Sequence, residues 1–249
     1  MKISIITSVY NNKETIAETI TSVSSQTYKD IEYIVVDAAS TDGTVEVIKE
    51  HKDKITTFVS APDGGIYDGL DRGIALATGD VIGFLHADDL FEDEYVVSKI
   101  AEAFETYDVD SIYGDLIYVK KDDVSKIIRY WKSGVYKRIK LEYGWMPPHP
   151  TFYVKREVYE SYGTYDTKFK ISADYDAVLR FFGRENITTH YIPEVLVKMR
   201  VGGDSNKSLH NVLLKVKEDF LAIKNNRVCH MQSLLFKSLS KVPQFFIRK

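Results

Sequence analysis

Apolar residues along the chain fall into short, nearly continuous runs, separated by stretches in which apolar positions recur every three or four residues. Residues 3–9, 31–36 and 81–85 are runs of the first kind, the signature of strands buried on both faces, and residues 55–59 form a weaker fourth. Between them, Ile16, Ile20 and Val23 fall on one face of a predicted helix for which Asn12 is a fair N-cap. The turn Ser40-Thr41-Asp42-Gly43-Thr44 opens a second helix through Val45 and Ile48. A third is predicted over 66–77, after the break Pro62-Asp63-Gly64-Gly65. Strand and helix alternating with short turns predict an α/β fold with a mainly parallel sheet and right-handed crossovers.

After Asp89 the rhythm changes. A helix is expected near 93–107, then strands over 111–119 and 127–131 joined through Lys120-Lys121-Asp122-Asp123 as an antiparallel hairpin. The loop Trp145-Met146-Pro147-Pro148-His149-Pro150 precedes a strand at 151–154 and a helix near 156–162. Ser172-Ala173-Asp174-Tyr175-Asp176 opens a helix toward Phe182, two late strands follow at 188–192 and 195–200, and a helix is expected over 206–224. The expected organisation is one domain over 1–205, with a nucleotide-binding half (1–110) and a second half that meets it (111–205), followed by a helical tail over 206–249.

With 249 residues and 44% apolar content, the chain can bury one substantial core. A net charge of −3 with acids and bases interspersed argues against a nucleic-acid binder. The single Cys229 excludes an intramolecular disulfide and a cysteine metal cage and fits a reducing compartment. No signal-peptide pattern opens the chain, and no apolar run approaches the roughly 18–20 residues that span a bilayer. A cytoplasmic location is therefore expected, including the inner face of the membrane. From Lys224 onward six basic residues and no acids are interleaved with Leu, Val, Phe and Ile. That pattern suits either peripheral membrane contact through 224–249 or a terminal helix docked on the domain.

The candidate chemistry centres on His86-Ala87-Asp88-Asp89, where a buried strand ends in two carboxylates. Ligands of open α/β sheets bind at such carboxyl ends, and paired acids there suit Mg²⁺ or Mn²⁺ held together with substrate phosphates. The competing reading is that Asp88 and Asp89 cap a helix over 91–104. Asp37 ends another strand and is able to accept the ring N–H of a pyrimidine base while Tyr10 lies against the base's face. Gly64-Gly65 ahead of a helix, and Arg200 with the Gly202-Gly203 loop, offer donors to an anion. Asp174 suits a general base if it faces the acidic strand end across a cleft. The G-x-G-x-x-G and G-x-x-x-x-G-K-[ST] patterns are absent, which disfavours dinucleotide oxidoreductases and P-loop NTPases.

Taken in order, Thr7-Ser8-Val9-Tyr10-Asn11-Asn12, Val35-Val36-Asp37-Ala38-Ala39-Ser40-Thr41-Asp42-Gly43-Thr44, Asp63-Gly64-Gly65-Ile66-Tyr67-Asp68, His86-Ala87-Asp88-Asp89, His149-Pro150-Thr151-Phe152, Asp174-Tyr175-Asp176 and Gly202-Gly203-Asp204-Ser205 resemble the motifs of family 2 glycosyltransferases with the GT-A (Rossmann-like) fold. The Gly-Gly-Ile-Tyr-Asp version is similar to bacterial exopolysaccharide, capsule and O-antigen enzymes. The resemblance implies inverting transfer of one sugar from a nucleotide sugar, most often a UDP-sugar, with Mn²⁺ or Mg²⁺, to a glycan acceptor that is expected to be lipid-linked. Thr7, Val9, Tyr10 and Asp37 would hold base and ribose, Asp88 the metal with Asp89 beside it, and Asp174 would be the base. Asn12, Gly64, Gly65, Asp68, Arg72, His86, Ala87 and Arg200 are expected on the donor side, and Trp145, His149 and Tyr175 on the acceptor side. His86 replaces the first acid of D-x-D, Ala173 the first of a Glu-Asp pair, and Ala38 a frequent acid after Asp37. Two other readings stay open: a non-catalytic nucleotide-sugar-binding member and a sugar nucleotidyltransferase.

Overall fold

The computed structural model describes residues 1–202, 209–227, 233–234 and 237. The apolar runs become β1 (Ile3–Val9), β2 (Ile31–Asp37), β3 (Thr57–Ser60) and β4 (Val81–Phe84), with α1 (Ile16–Ser24), α2 (Thr44–Glu50) and α3 (Ile66–Leu76) as the crossovers. Beyond them lie β5 (Leu90–Phe91), α4 (Val96–Thr106), the hairpin β6 (Ser111–Lys120) and β7 (Asp123–Trp131), β8 (Tyr153–Lys155), α5 (Arg156–Tyr162), α6 (Ala173–Val178), β9 (Thr189–Arg200) and α7 (Leu209–Asn226). A wider, π-helical turn (Leu179–Arg184) extends α6.

One mixed sheet runs in the order β3-β2-β1-β4-β8-β6-β9-β5, with β7 paired to β6. The pairs β1–β2, β2–β3 and β1–β4 are parallel, and Val9 sits opposite Asp37 in register. β8 enters antiparallel between β4 and β6 and so joins the two halves. Alternation along β1 divides the core. Ile3, Ile5 and Val9 face a cluster with Ile16, Ile20 and Val23 of α1 and Val96, Val97 and Ile100 of α4. Ile6 faces the opposite cluster, with Tyr67, Leu70 and Ile74 of α3, Val178 of α6 and Ala222 and Ile223 of α7. The result is a sheet covered by helices on both sides, the GT-A-like α/β arrangement expected.

Helix α3 lies close on β1 because glycines face it. A Cβ on Gly69 would stand 2.3 Å from Ser8 Oγ, and one on Gly73 2.3 Å from Ile6 Cγ2. The two residues are one helical turn apart, so this contact line sets how near the helix, and its N-terminal motif, comes to the end of β1.

Several expectations shift. The two late strands are one continuous β9, because its long pairing with β6 carries through Pro193 at register shifts. The two-residue β5 intervenes before α4, so the helix expected from 91 or 93 begins at Val96. Asn12 does not cap α1 from the adjacent position; its backbone carbonyl accepts the Ile16 N–H at 3.3 Å. Gly203, Asp204 and Ser205, and most of 224–249, lie outside the described residues. The described tail residues do pack on the domain: Ser233 Oγ donates to Glu142 O at 2.6 Å, and Lys237 Nζ lies 3.2 Å from the centre of the Tyr175 ring. No helix among the described residues is long and apolar enough to cross a membrane.

Candidate active site

The carboxyl ends of β1, β2 and β4 open on one edge of the sheet, beside the start of α3. The loops after β1 and β2 are laced together. Asn11 N–H donates to Ser40 Oγ (2.8 Å), Thr41 N–H to Asn11 Oδ1 (2.9 Å), Asn12 N–H to Thr44 Oγ1 (2.8 Å) and Lys13 N–H to Asp42 Oδ2 (3.1 Å). This lacing holds Asn11 and Ala39 at φ 47° and 57°, a left-handed backbone uncommon outside glycine. Two motifs some 30 residues apart thus form one rigid rim.

Asp37 is wholly buried on that rim. Its Oδ2 accepts Ser60 Oγ (2.6 Å) and Ser40 N–H (3.1 Å), while Oδ1 is buried with no hydrogen-bond partner. A buried carboxylate oxygen left unmatched suits a donor that arrives with a ligand, because burial without a partner is costly. Tyr10, 64% exposed, stands next to it as a flat apolar face. Thr7 is buried and donates to Leu85 O (2.7 Å), and Val9 is core. Neither side chain is open to solvent there.

At the start of α3, Gly64 N–H donates to Asp68 Oδ2 (2.8 Å) and Gly65 N–H to Asp63 Oδ1 (2.9 Å). The anion cradle expected of Gly64 and Gly65 is therefore corrected: carboxylates already occupy these amides. Arg72 pairs with Asp68 at 3.2 Å and donates to Pro62 O at 2.9 Å, which closes the turn. Asp63, which carried no expectation, has a buried Oδ2 without a partner, packed beside Gly69 of α3.

Beyond β4 the chain presents His86, Ala87 and Asp88. His149 Nδ1 lies 3.4 Å from His86 Nε2, and its Nε2 lies 2.6 Å from the Tyr165 hydroxyl. His149 also stacks on Phe84 with ring centroids 5.1 Å apart. Burial, reinforced by the neighbouring His86, pushes His149 down to about 4, so the ring is neutral near pH 7. Burial lowers His86 too, against the charges of Asp88 and Asp174. The Tyr165 ring also lies 5.4 Å from that of Tyr67, so His86 after β4 is linked by side-chain contacts through His149 and Tyr165 to Tyr67 of α3.

Asp174 sits in the first turn of α6, with Oδ1 accepting Tyr175 N–H (2.8 Å) and the Tyr67 hydroxyl (3.2 Å). That hydroxyl also lies 2.8 Å from Ile171 O. Burial and the charge of Asp174 push the Tyr67 hydroxyl well up, so it stays protonated and donates. Tyr67 is a further residue that sequence reasoning missed, although it stood inside the Gly-Gly-Ile-Tyr-Asp motif.

Three expected roles are corrected by burial. Asp89 is wholly buried: its Oδ1 accepts Arg200 N–H at 3.2 Å, which anchors β9, and its Oδ2 is buried without a partner, so of the two acids only Asp88 is partly exposed. Arg200 is 4% exposed, and its guanidinium donates to Asp88 O (2.6 Å), Lys121 O (3.2 Å) and Glu18 Oε2 (2.6 Å). It braces the backbone of Asp88 and lines a cleft of about 410 Å³ with Glu14, Glu18 and Lys121, so it is not free to close over phosphates. Tyr175 is completely buried in the core and presents no surface to an acceptor. Trp145 is half-buried, donates Nε1–H to Ser133 O (2.9 Å) and meets Tyr113 edge-on.

Among the described residues no cluster of three or more His, Cys, Asp or Glu side chains could enclose a metal. The donors present still fit one: the Asp88 carboxylate is partly exposed, and His86 Nδ1 is buried without a partner. Mg²⁺ and Mn²⁺ sites built around substrate phosphates need only one or two protein ligands.

Residues 4–171 match the family described as Glycosyl transferase family 2. A PGL/p-HBAD biosynthesis glycosyltransferase of Mycobacterium tuberculosis is 27% identical over 217 residues, covering 85% of this chain and 82% of that protein. Among solved structures, S. aureus TarS 1–349 in complex with UDP-GlcNAc is similar with a TM-score of 0.71 at 15% identity, covering 99% of this chain and 73% of that one. The mannosyltransferase PcManGT of Pyrobaculum calidifontis, in complex with GDP-Man and Mn²⁺, is similar with a TM-score of 0.68 at 16% identity, covering 98% and 73%. The chain therefore belongs to glycosyl transferase family 2, a glycosyltransferase built on the GT-A fold.

Proposed function

We propose that this enzyme is an inverting, metal-dependent glycosyltransferase that moves one sugar per visit from a UDP-sugar to a hydroxyl of a glycan acceptor, lipid-linked, in surface polysaccharide synthesis. The observation that carries the proposal is the contact chain from Asp174 through Tyr67, Tyr165 and His149 to His86, two residues before Asp88, together with the unmatched buried oxygen of Asp37 at a neighbouring strand end. Asp37 Oδ1 accepts the ring N–H of uracil, with Tyr10 against the base. Asp174 takes the proton of the acceptor hydroxyl as that oxygen attacks the anomeric carbon from the face opposite the diphosphate. The C–O bond to the diphosphate breaks as the new glycosidic bond forms, which inverts the centre. General-base assistance of this kind contributes about 10²–10⁴ in rate. Asp88, with His86 nearby, would hold Mn²⁺ or Mg²⁺, whose chemistry here is to neutralise charge on the departing diphosphate. The bound nucleotides named for TarS (UDP-GlcNAc) and PcManGT (GDP-Man with Mn²⁺) support a nucleotide-sugar donor and a divalent ion.

Peripheral membrane contact through 224–249 belongs to the same proposal and rests on the tail's basic and apolar composition. Deleting residues after 226 should weaken binding to vesicles rich in phosphatidylserine; equal binding would discard the membrane role.

The first test is thermal unfolding with UDP, GDP, CMP and dTDP, each with and without Mn²⁺. A ligand of the native state at a hundredfold excess over its Kd adds about 2.7 kcal/mol. A Mn²⁺-dependent shift with UDP that disappears in Asp88→Ala is the expected result. A shift with no nucleotide would refute the donor assignment, and an unchanged shift in Asp88→Ala would refute the metal assignment.

A further inference from the structure

Helix α7 begins well past residue 171, where the family match ends, yet it reaches the segment that carries Asp174. The Glu218 carboxylate, 5% exposed, accepts three consecutive backbone N–H groups: Lys170 at 2.9 Å, Ile171 at 2.8 Å and Ser172 at 3.0 Å. These amides immediately precede α6 and belong to a loop with no strand or helix to pair them. The Ile171 peptide is gripped from both sides. Its N–H is held by Glu218, and its carbonyl lies 2.8 Å from the Tyr67 hydroxyl, which also reaches Asp174 Oδ1. A second tie runs from Asn226 Nδ2 to Asp176 Oδ1 at 2.8 Å, one turn further along α6. Helix α7 thus meets the base-bearing helix at its entry through Glu218 and on its flank through Asn226.

We propose that Glu218 is a positioning residue for the sugar-transfer step: by clamping the 170–172 peptides it sets where Asp174 stands in the cleft. The role rests on Asp174 being the base. A carboxylate is the appropriate clamp because it accepts several N–H bonds at once, and charge-assisted bonds of this kind are roughly twice as strong as neutral ones. Release of the clamp leaves the nucleotide rim of β1, β2 and β4 untouched, since no contact of Glu218 reaches it. The loss therefore falls on turnover and leaves donor binding alone. Misplacement of a reacting group by about 1 Å from a remote change costs on the order of 10²-fold.

The test uses the full-length chain and its Glu218→Gln and Asp174→Asn variants. Donor turnover is read as nucleotide release from UDP-glucose, UDP-GlcNAc or GDP-mannose with Mn²⁺, affinity as nucleoside diphosphate binding, and loop order as amide hydrogen exchange over 170–178. For Glu218→Gln the expected result is kcat lower by about 10- to 100-fold, diphosphate affinity unchanged within about twofold, and faster exchange at Lys170, Ile171 and Ser172. Near-normal kcat in Glu218→Gln with turnover lost in Asp174→Asn overturns the Glu218 role alone. Near-normal turnover in Asp174→Asn overturns the base assignment and the Glu218 role with it. Equal losses of kcat and diphosphate affinity in Glu218→Gln would mark a general structural role and overturn positioning. A wild-type chain that releases nucleotide from none of the three donors overturns the donor assignment on which both roles rest. Should Glu218→Gln fail to fold, Asn226→Ala, which cuts the flank tie, must show the same split, and an unchanged kcat there overturns the clamp.

Discussion

Lys237 lies in a tail whose basic and apolar residues suit, in sequence, either membrane contact or a docked terminal helix. In the structure it is buried. Its ammonium stands 2.9 Å from Asp219 Oδ1, with both side chains 8% exposed, and 3.2 Å from the centre of the Tyr175 ring. Burial lowers the lysine's affinity for its proton, and Asp219 opposes that shift. Lys237→Met removes the cation and keeps most of the stem's volume, which leaves Asp219 buried with a charge that has lost this partner. Breaking a buried pair from one side costs about 3–5 kcal/mol. For a chain of this size that corresponds to a fall in Tm of about 6–20 °C. The segment around 233–237 has a second way to respond: it can leave the domain and hydrate Asp219, which caps the loss at the free energy of docking. Thermal unfolding and limited trypsin digestion, read together, separate the two responses, since undocking exposes the tail to cleavage while Tm falls less. The double variant Lys237→Met/Asp219→Leu replaces the pair with apolar groups beside the Tyr175 ring and should recover most of the loss, because such replacements are commonly neutral or stabilising. A Lys237→Met protein with unaltered Tm and unaltered cleavage would refute the docked pair. A double variant as impaired as the single one would refute the electrostatic explanation.

Gly73→Ala places a methyl 2.3 Å from Ile6 Cγ2, inside the β1–α3 contact, and should destabilise by about 1–3 kcal/mol in chemical denaturation; an unchanged midpoint would mean that α3 shifts freely. Glu32 provides a pH handle: burial alone would raise it, but hydrogen bonds from Ser4 and Thr78 and the charge of Lys2 hold it at about 2 against an ordinary 4.5. A depressed carboxyl stabilises above its unfolded value and stops doing so as pH falls through the folded one. Glu32→Gln should therefore cost up to about 3 kcal/mol at pH 7, and the gap from wild type should narrow between pH 4.5 and 2; a gap constant with pH would refute this. Asp37→Asn presents an amide in place of a carboxylate and should weaken UDP binding by at least about tenfold, the scale set by losing a charge-assisted hydrogen bond; equal calorimetric affinities would remove Asp37 from the base site.

Periodicity was sufficient for the first half. Runs of apolar residues such as 31–36 have few alternatives to a buried strand, and the polar turn at the end of each run places Tyr10, Asp37 and Asp88 at strand ends. These are local matters, decided by burial on both faces and by turn chemistry. The second half was less legible because its pairings are long-range. Nothing near residues 153–155 states that they insert antiparallel between β4 and β6, and a two-residue strand such as β5 leaves no periodic trace.

Side-chain roles divide on the same line. Ordered motifs named the acids of the candidate site: Asp37 and Asp88 at strand ends and Asp174 at the start of a helix. Which of these groups meets solvent was decided only by tertiary packing. Asp88 and Asp174 remain partly exposed, while their neighbours Asp89 and Tyr175 are wholly buried. Adjacent residues on a strand end or a helix point in different directions, and sequence spacing does not say which direction the rest of the chain will cover. The three N–H bonds that Glu218 accepts lie 46 to 48 residues away, and the carboxylate partner of Lys237 lies 18 residues away. Such contacts exist only after the sheet has brought α7 against α6, so the chain's own order records the parts of the site and the folded core decides how they are held.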